Sequence, residues 1–341
     1  MKYKLCLLLP IMMLFISCRE QVNRFSRPLL GTIINLTIIS DESDAISAAD
    51  EVFSEIERIE EAMSPYRDSS DVYRINRHAF RGPVPVSGET AALIRRSLDI
   101  SAETGGAFDI TFASLSGLWN FRKKPFVPPS AREVRARLHL VDYRRVVLDR
   151  EKNTVRFASG GMKIGLGGIA KGYAVKRGID ILRKRGIRDA IVEEGGDLQV
   201  MGTKYGKRWV TGLRHPREES LVLALKLDDG DSIATSGDYE RFAMYKGRRY
   251  HHIMDPRTGF PASGFSSVSV VSSDPVVSDS YATAIFVMGP ERSREFLKKR
   301  EDLKVILIDR NMNIFISQSL KKDVTLFTKR EISWTGRDAE E

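Results

Sequence analysis

The side chains best placed to do chemistry are few and widely spaced. Asp279 and Thr283, in the run Asp279-Ser280-Tyr281-Ala282-Thr283, stand at i and i+4 and share one face of a helix that continues apolar through Ile285 and Met288. Two oxygen donors on one face suit a hard cation such as Mg²⁺ that keeps waters and bridges to phosphate. The same spacing also fits a helix cap at Asp279 with Thr283 bonding back to a carbonyl. Lys171 follows the glycines Gly165, Gly167 and Gly168 and opens a helix in which Val175, Ile179 and Leu182 repeat at i, i+4, i+7. Glycines at a helix start let the backbone approach an anion, toward which free N–H groups and the helix dipole both point. A phosphorylated ligand is the guest this predicts. The pair His251-His252 suggests metal ligation, but neighbours in an extended strand face opposite ways, so one histidine near a ligand is the expectation.

Other motifs carry less. Gly165-x-Gly167-x-x-Ala170 fits a dinucleotide fingerprint by letter, with Glu193 where a ribose-binding acid would stand, yet it leaves the preceding residues unexplained. Ala170-Lys171-Gly172 lacks the Gly-Lys-Ser/Thr ending of a phosphate-binding P-loop. Asp109, two residues before Thr111 in an apolar setting, reads equally as a site carboxylate or as a helix cap.

The elements that must position these groups alternate along the chain. A strand is predicted over Leu29–Ile39, a helix over Ala45–Ala62, a short helix after Ser70, and another helix over Glu89–Thr104 ending at Gly105-Gly106. Strands at 146–148 and 154–157 lead into the glycine cluster, and a strand at 190–192 follows its helix. Further strands at 209–212, 221–227 and 267–271 precede the helix that carries Asp279, and 304–308 and 313–317 complete the sheet.

The 341 residues, 42% of them apolar, suffice for a large core and argue against disorder. The net charge of +9 favours anionic surfaces, but no helix-turn-helix, zinc-finger or RNA-binding pattern accompanies it, so nucleic acid is not an expected partner. Residues 1–18, with Lys2 and Lys4 ahead of an apolar run, read as an export signal too short to span a bilayer. Ser17-Cys18, after apolar Leu14, Phe15 and Ile16, is similar to a bacterial lipoprotein acceptor; the alternative is a secretory signal with an incidental cysteine. Once Cys6 is removed with the signal, the single remaining cysteine allows no internal disulfide.

Read together, the ordered motifs resemble the ApbE family of FAD:protein FMN transferases. They are Leu30-Gly31-Thr32, Met63-Ser64-x-Tyr66, Phe108-Asp109-Ile110-Thr111 with Leu118-Trp119, Gly167 to Ala174, Gly195-Gly196-Asp197, Ser236 to Tyr239, His252 to Gly259, and Asp279-x-x-Ala282-Thr283. The resemblance covers roughly residues 25 to 318. It implies an α+β fold with a core related to tunnelling-fold units. The implied segments are a lipoprotein signal peptide (1–18), a tether (19–28), the transferase domain (29–318) and a C-terminal tail (319–341).

The resemblance also implies a ligand set. FAD would be held by Leu30, Tyr66, Ala107, Phe108, Asp109, Lys171 and Met254, with Tyr66 near the flavin. Mg²⁺ would be held by the Gly168 carbonyl and the Asp279 and Thr283 side chains. One departure is Gly165, where the family usually has Asp. The implied reaction moves FMN from FAD to a threonine hydroxyl of an acceptor protein and releases AMP. Lys171 would neutralise charge, and His252 is the expected base because imidazole titrates near working pH. The acceptor would be a subunit of a membrane redox complex or an exported flavoprotein, met on the periplasmic side of the inner membrane by a lipid-anchored enzyme. The alternatives are an FAD pyrophosphatase giving FMN and AMP, and a flavin-binding lipoprotein without catalysis. Tyr66 argues against the former, and the metal and phosphate residues argue against the latter.

Overall fold

Strand side chains alternate between faces, and on the central strands here both faces are buried because both are covered. The computed structural model describes residues 20–328 and 330–335. The signal peptide and Cys18 lie outside the described residues. The first half of the chain runs β1 (Gln21–Leu29), β2 (Thr32–Ser40), α1 (Glu42–Met63), α2 (Asp71–His78), β3 (Val84–Pro85), α3 (Gly88–Glu103), α4 (Ala131–Leu138), β4 (Val146–Asp149) and β5 (Thr154–Phe157). Then come α5 (Ala170–Lys184), β6 (Asp189–Glu194), β7 (Asp197–Met201), β8 (Trp209–Arg214), β9 (Leu221–Leu227), β10 (Ser232–Gly237), β11 (Phe242–Tyr245) and β12 (Arg248–His251). The chain closes with β13 (Phe265–Ser272), α6 (Pro275–Leu297), β14 (Lys304–Asp309), β15 (Ile314–Ser317), β16 (Val324–Leu326) and β17 (Ile332–Thr335).

A nine-stranded sheet, ordered β1-β2-β6-β7-β10-β13-β14-β15-β17, forms the wall on which the site is built. Its described pairs are antiparallel except β15 with β17. On β14, Val305 and Leu307 enter the core shared with the helices, while Ile306 and Ile308 enter a second core under the small sheet β16-β9-β8. The architecture is therefore α+β, with α1, α5 and α6 on one face and a three-stranded sheet on the other.

Local sequence explains the helix limits. Asp41 caps α1 by accepting from the Asp44 N–H at 3.1 Å. The stripe Ala45, Ala48, Val52, Ile56 and Ile59 is buried, and Ser64-Pro65 ends the helix. Asp274 caps α6, whose regular course breaks at Gly289 (φ 73°) before Pro290.

Two boundaries differ from the sequence expectation. The segment read as a tether, 19–28, contains most of β1, which forms a hairpin with β2 through Leu30 and Gly31, both at positive φ. β1 escaped notice because an edge strand has one paired side and little burial, so its composition stays polar; Arg24, Arg27 and Pro28 also guard the edge against pairing with other chains. The segment read as a tail, 319–341, includes β16 and β17, each added to a sheet already formed.

Helices α5 and α6 meet at Gly172. A methyl there would lie 2.2 Å from the Pro275 carbonyl oxygen and 3.0 Å from the Asp279 Cβ. Gly172→Ala is therefore expected to push the helices apart and lower stability by about 1–3 kcal/mol, the usual range for overpacking, as read by denaturant or thermal unfolding. An unchanged midpoint would show that the contact is not tight in solution.

Candidate active site

The N-terminus of α5 has no cap of its own: Ile169 stands at the N-cap position and makes no side-chain bond. The missing acceptor comes from another helix, because Asp279 Oδ2 accepts from the Gly172 N–H at 3.0 Å. Asp279 is thus a cap for α5 rather than for α6, and its other oxygen lies 3.4 Å from Lys171 Nζ. Lys171 also bonds Asp197, the first residue of β7. One ammonium therefore joins α5, α6 and the sheet. Burial opposes the Lys171 charge, but Asp197 and Asp279 outweigh it and raise the pKa.

Beside this cluster, a Cβ added at Gly168 would sit 3.1 Å from the Phe108 ring and 3.7 Å from Thr283 Oγ1. Thr283 Oγ1 lies 3.2 Å from Ser236 Oγ. Gly168, Thr283 and Asp279 are thus brought to one place, one helical turn apart along α6 and facing the start of α5. The donors are all oxygens, with one carboxylate among them, which fits a hard ion that takes its remaining ligands from water and substrate phosphate. Among the described residues no cluster of three or more His, Cys, Asp or Glu forms an all-protein cage.

Glu194, at the end of β6, faces the same region and is fully buried. Both its carboxylate oxygens lack a partner among the described residues. Burial chiefly holds its pKa well above the usual carboxylate range; Lys171 opposes this, while Asp197 and Asp279 add to it. Burial likewise pushes Asp197 up to about 7 against the pull of Lys171.

The two histidines divide as the strand geometry requires. His251 is structural: Nε2 bonds the Ala262 carbonyl at 3.0 Å and Nδ1 accepts from the Ile253 N–H at 3.3 Å, which fixes the tautomer. His252 has a buried Nδ1 with no hydrogen-bond partner among the described residues, while its backbone N–H donates to the Arg241 carbonyl, and the Arg241 guanidinium reaches the Gly31 carbonyl at 3.4 Å. The expectation that His252 titrates near working pH is corrected: burial, then Arg241, depresses it to about 4.

The remaining expected ligand residues are spread around the cluster. Leu30 occupies the β1–β2 turn at φ 53°, and Tyr66, past the end of α1, is 88% exposed. Ala107 and Phe108 are buried, and Met254 bridges to Pro261. Asp109 acts as a cap, with one oxygen accepting from the Thr111 N–H at 2.7 Å and the other from the Tyr143 N–H at 3.0 Å. A Cβ at Gly165 would lie 3.1 Å from Ala113 Cβ, so a larger residue there would require the neighbouring turn to shift. Sequence reasoning gave Asp197 no role and passed over Glu194. Their one visible signal was acidic residues flanking Gly195-Gly196, and only the hairpin pairing of Glu194 with Asp197 turns them toward Lys171.

Because Asp197 and Glu194 have raised pKa values when folded, the folded state keeps protons that the unfolded chain has released. Their contribution to stability is full below about pH 4 and is lost as pH rises, through about 7 for Asp197. Glu194→Gln keeps the shape and removes one such proton. Its melting temperature should fall less steeply than the wild type's across that window, with the gain largest at neutral pH. Thermal melts at a series of pH values test this, and parallel curves would refute it.

Comparisons with known proteins place the chain in a family. Residues 30–307 match the ApbE family. An FAD:protein FMN transferase of Klebsiella pneumoniae is 34% identical over 300 residues, covering 87% of this chain and 92% of that protein. One from Treponema pallidum is 32% identical over 310 residues, covering 85% and 86%. The crystal structure of the ApbE protein of Thermotoga maritima superposes with a TM-score of 0.83 at 33% identity, covering 91% of this chain and all of that one. The flavin transferase ApbE of Vibrio cholerae gives 0.79 at 28% identity, covering 89% and 99%. With the family match spanning most of its length and the fold shared with solved members, the chain belongs to the ApbE family.

Proposed function

We infer that this protein transfers flavin from FAD to an acceptor protein, as the names of its relatives describe for them. The observation that carries the reading is the convergence, in an ApbE-family chain, of Lys171, Asp279, Thr283 and the Gly168 backbone at the start of α5. In the finer reading the acceptor group is a threonine hydroxyl. Its oxygen forms the new bond to the phosphorus of the FMN half, the phosphorus–oxygen bond to the AMP half breaks, and AMP leaves with its phosphate.

Phosphoryl transfer of this kind is promoted mostly by positioning and charge neutralisation. Lys171, held charged by its acids, and the N-terminal end of α5 would face the pyrophosphate. Asp279, Thr283 and the Gly168 carbonyl would hold Mg²⁺, which when bound offsets charge on the phosphate oxygens. His252, neutral at working pH, is the residue to accept the threonine proton, through the ring nitrogen that an acceptor can reach. Its depressed pKa makes it a weak base, so the proton must pass on quickly. The exposed ring of Tyr66 is available to stack on the isoalloxazine. Lipidation at Cys18 would keep the enzyme on the periplasmic side of the inner membrane, where its acceptors would be membrane redox subunits or exported flavoproteins.

Asp279→Asn separates the metal role from the cap. Asn can still accept from the Gly172 N–H, so melting should stay near the wild type, whereas AMP release should drop by about a hundredfold or more with loss of the charge a hard cation needs. The assay is AMP release and acceptor mass gain against Mg²⁺ concentration. Full activity of the Asn variant at low Mg²⁺ would end the metal assignment, and AMP appearing with free FMN alone would favour hydrolysis.

Tyr66→Ala should weaken FAD binding by about 1–3 kcal/mol, the range for a base on an aromatic platform, and should do so to a similar extent with and without Mg²⁺. Titration of FAD fluorescence measures it. Equal affinity would make Tyr66 a loop residue only.

A further inference from the structure

The register of the large sheet defines two ends. At one end Leu29 pairs with Thr32, Glu194 with Ile34 and Asp197, and the Arg241 guanidinium reaches Gly31; Lys171 and its acids lie here. At the other end Gln21 pairs with Ser40, Ile39 with Asp189, and Ala190 with Met201. β1 is nine residues long, so the ends stand roughly 26 Å apart at about 3.3 Å per residue. The chain enters the sheet at this second end. Only Arg19 and Glu20 separate Cys18 from β1, a reach of about 10 Å when extended.

That same end carries an exposed turn, Lys204-Tyr205-Gly206-Lys207, closed by Lys204 N–H to the Lys207 carbonyl at 2.7 Å and by the reciprocal bond at 3.1 Å. Tyr205 takes φ 53°, a region unfavourable for a bulky residue, and its ring is 59% exposed. Lys204 and Lys207 flank it in solvent, with Arg188 exposed on the neighbouring loop. Asp189 and Asp229 stand beside the turn, accepting from the Thr203 and Gly202 N–H groups, while Asp228 and Asp323 pair with Arg208; Lys204 and Lys207 point past them into solvent. An amphipathic ring between two ammonium groups matches the interface of an anionic bilayer, where tyrosine sits at headgroup level and lysine meets phosphate.

We propose that the Lys204–Lys207 turn seats on anionic lipid headgroups, standing the large sheet on the membrane so that the flavin-transfer end faces away from it. The proposal rests on lipid attachment at Cys18. It implies that the acceptor presents its threonine on a domain raised above the bilayer rather than at the lipid surface.

Because the mature chain has no other free thiol once Cys18 is lipidated, Tyr205→Cys and, as the opposite-end control, Glu240→Cys can each be labelled with nitrobenzoxadiazole in the full-length protein. The labelled proteins are added to vesicles of phosphatidylcholine alone or mixed with phosphatidylglycerol. Emission at position 205 should rise severalfold and shift to the blue on the anionic vesicles only, Lys204→Glu with Lys207→Glu should abolish the change, and position 240 should not respond. Protein that floats with the anionic vesicles while position 205 stays unshifted would overturn the proposal and leave the anchor intact. A mature chain whose mass shows no lipid on Cys18 would bring down the anchor and the proposal together. A response at position 205 to an acceptor protein but not to vesicles would assign the turn to protein docking and overturn it.

Discussion

The structure depends on one half-buried ammonium group, held by two buried carboxylates. Lys171 is the first polar side chain of α5, and its partners come from a hairpin of the sheet and from the helix that follows the sheet's central strands. Removing Lys171 would leave Asp197 and Asp279 buried without their shared cation, which typically costs about 3–5 kcal/mol. The arrangement holds α5, α6 and β7 in one relative position. The acids around Lys171 outnumber it, and the Glu194 oxygens have no hydrogen-bond partner among the described residues.

The layers make this possible. The central strands are buried on both faces, and the charged groups around Lys171 lie at one end of the sheet. Gly172 brings α5 against the start of α6 closely enough for the Asp279 carboxylate to serve a helix other than its own. Exchange of caps between helices fixes the site more firmly than a local cap would, because Asp279 cannot satisfy Gly172 unless both helices are in place.

The histidine pair shows how neighbouring residues acquire different work. His251 has both ring nitrogens occupied by backbone groups. His252, turned the other way, keeps Nδ1 unpartnered and is held neutral by burial. A neutral imidazole is ready to accept a proton at any ordinary pH, at the expense of basicity, so orientation rather than proton affinity is what the fold contributes.

The sequence by itself determined the family and the α+β class: the spacing of Asp279 and Thr283, the glycines before Lys171 and the order of the motifs are local or collinear features, and folding leaves them in that order. It also marked α1, α3 and α5, because a buried stripe repeats with the helical period. The edge strand β1 and the late strands β16 and β17 were not legible, since a strand that pairs on one side, or joins a sheet already formed, needs little apolar alternation. Only the tertiary structure decided that Asp109 is a cap, that Asp279 caps α5, that Glu194 and Asp197 turn toward Lys171, and that His252 is depressed to about 4. Each of these depends on which distant groups share a low-dielectric interior, and desolvation and long-range pairing leave no mark on the spacing of letters.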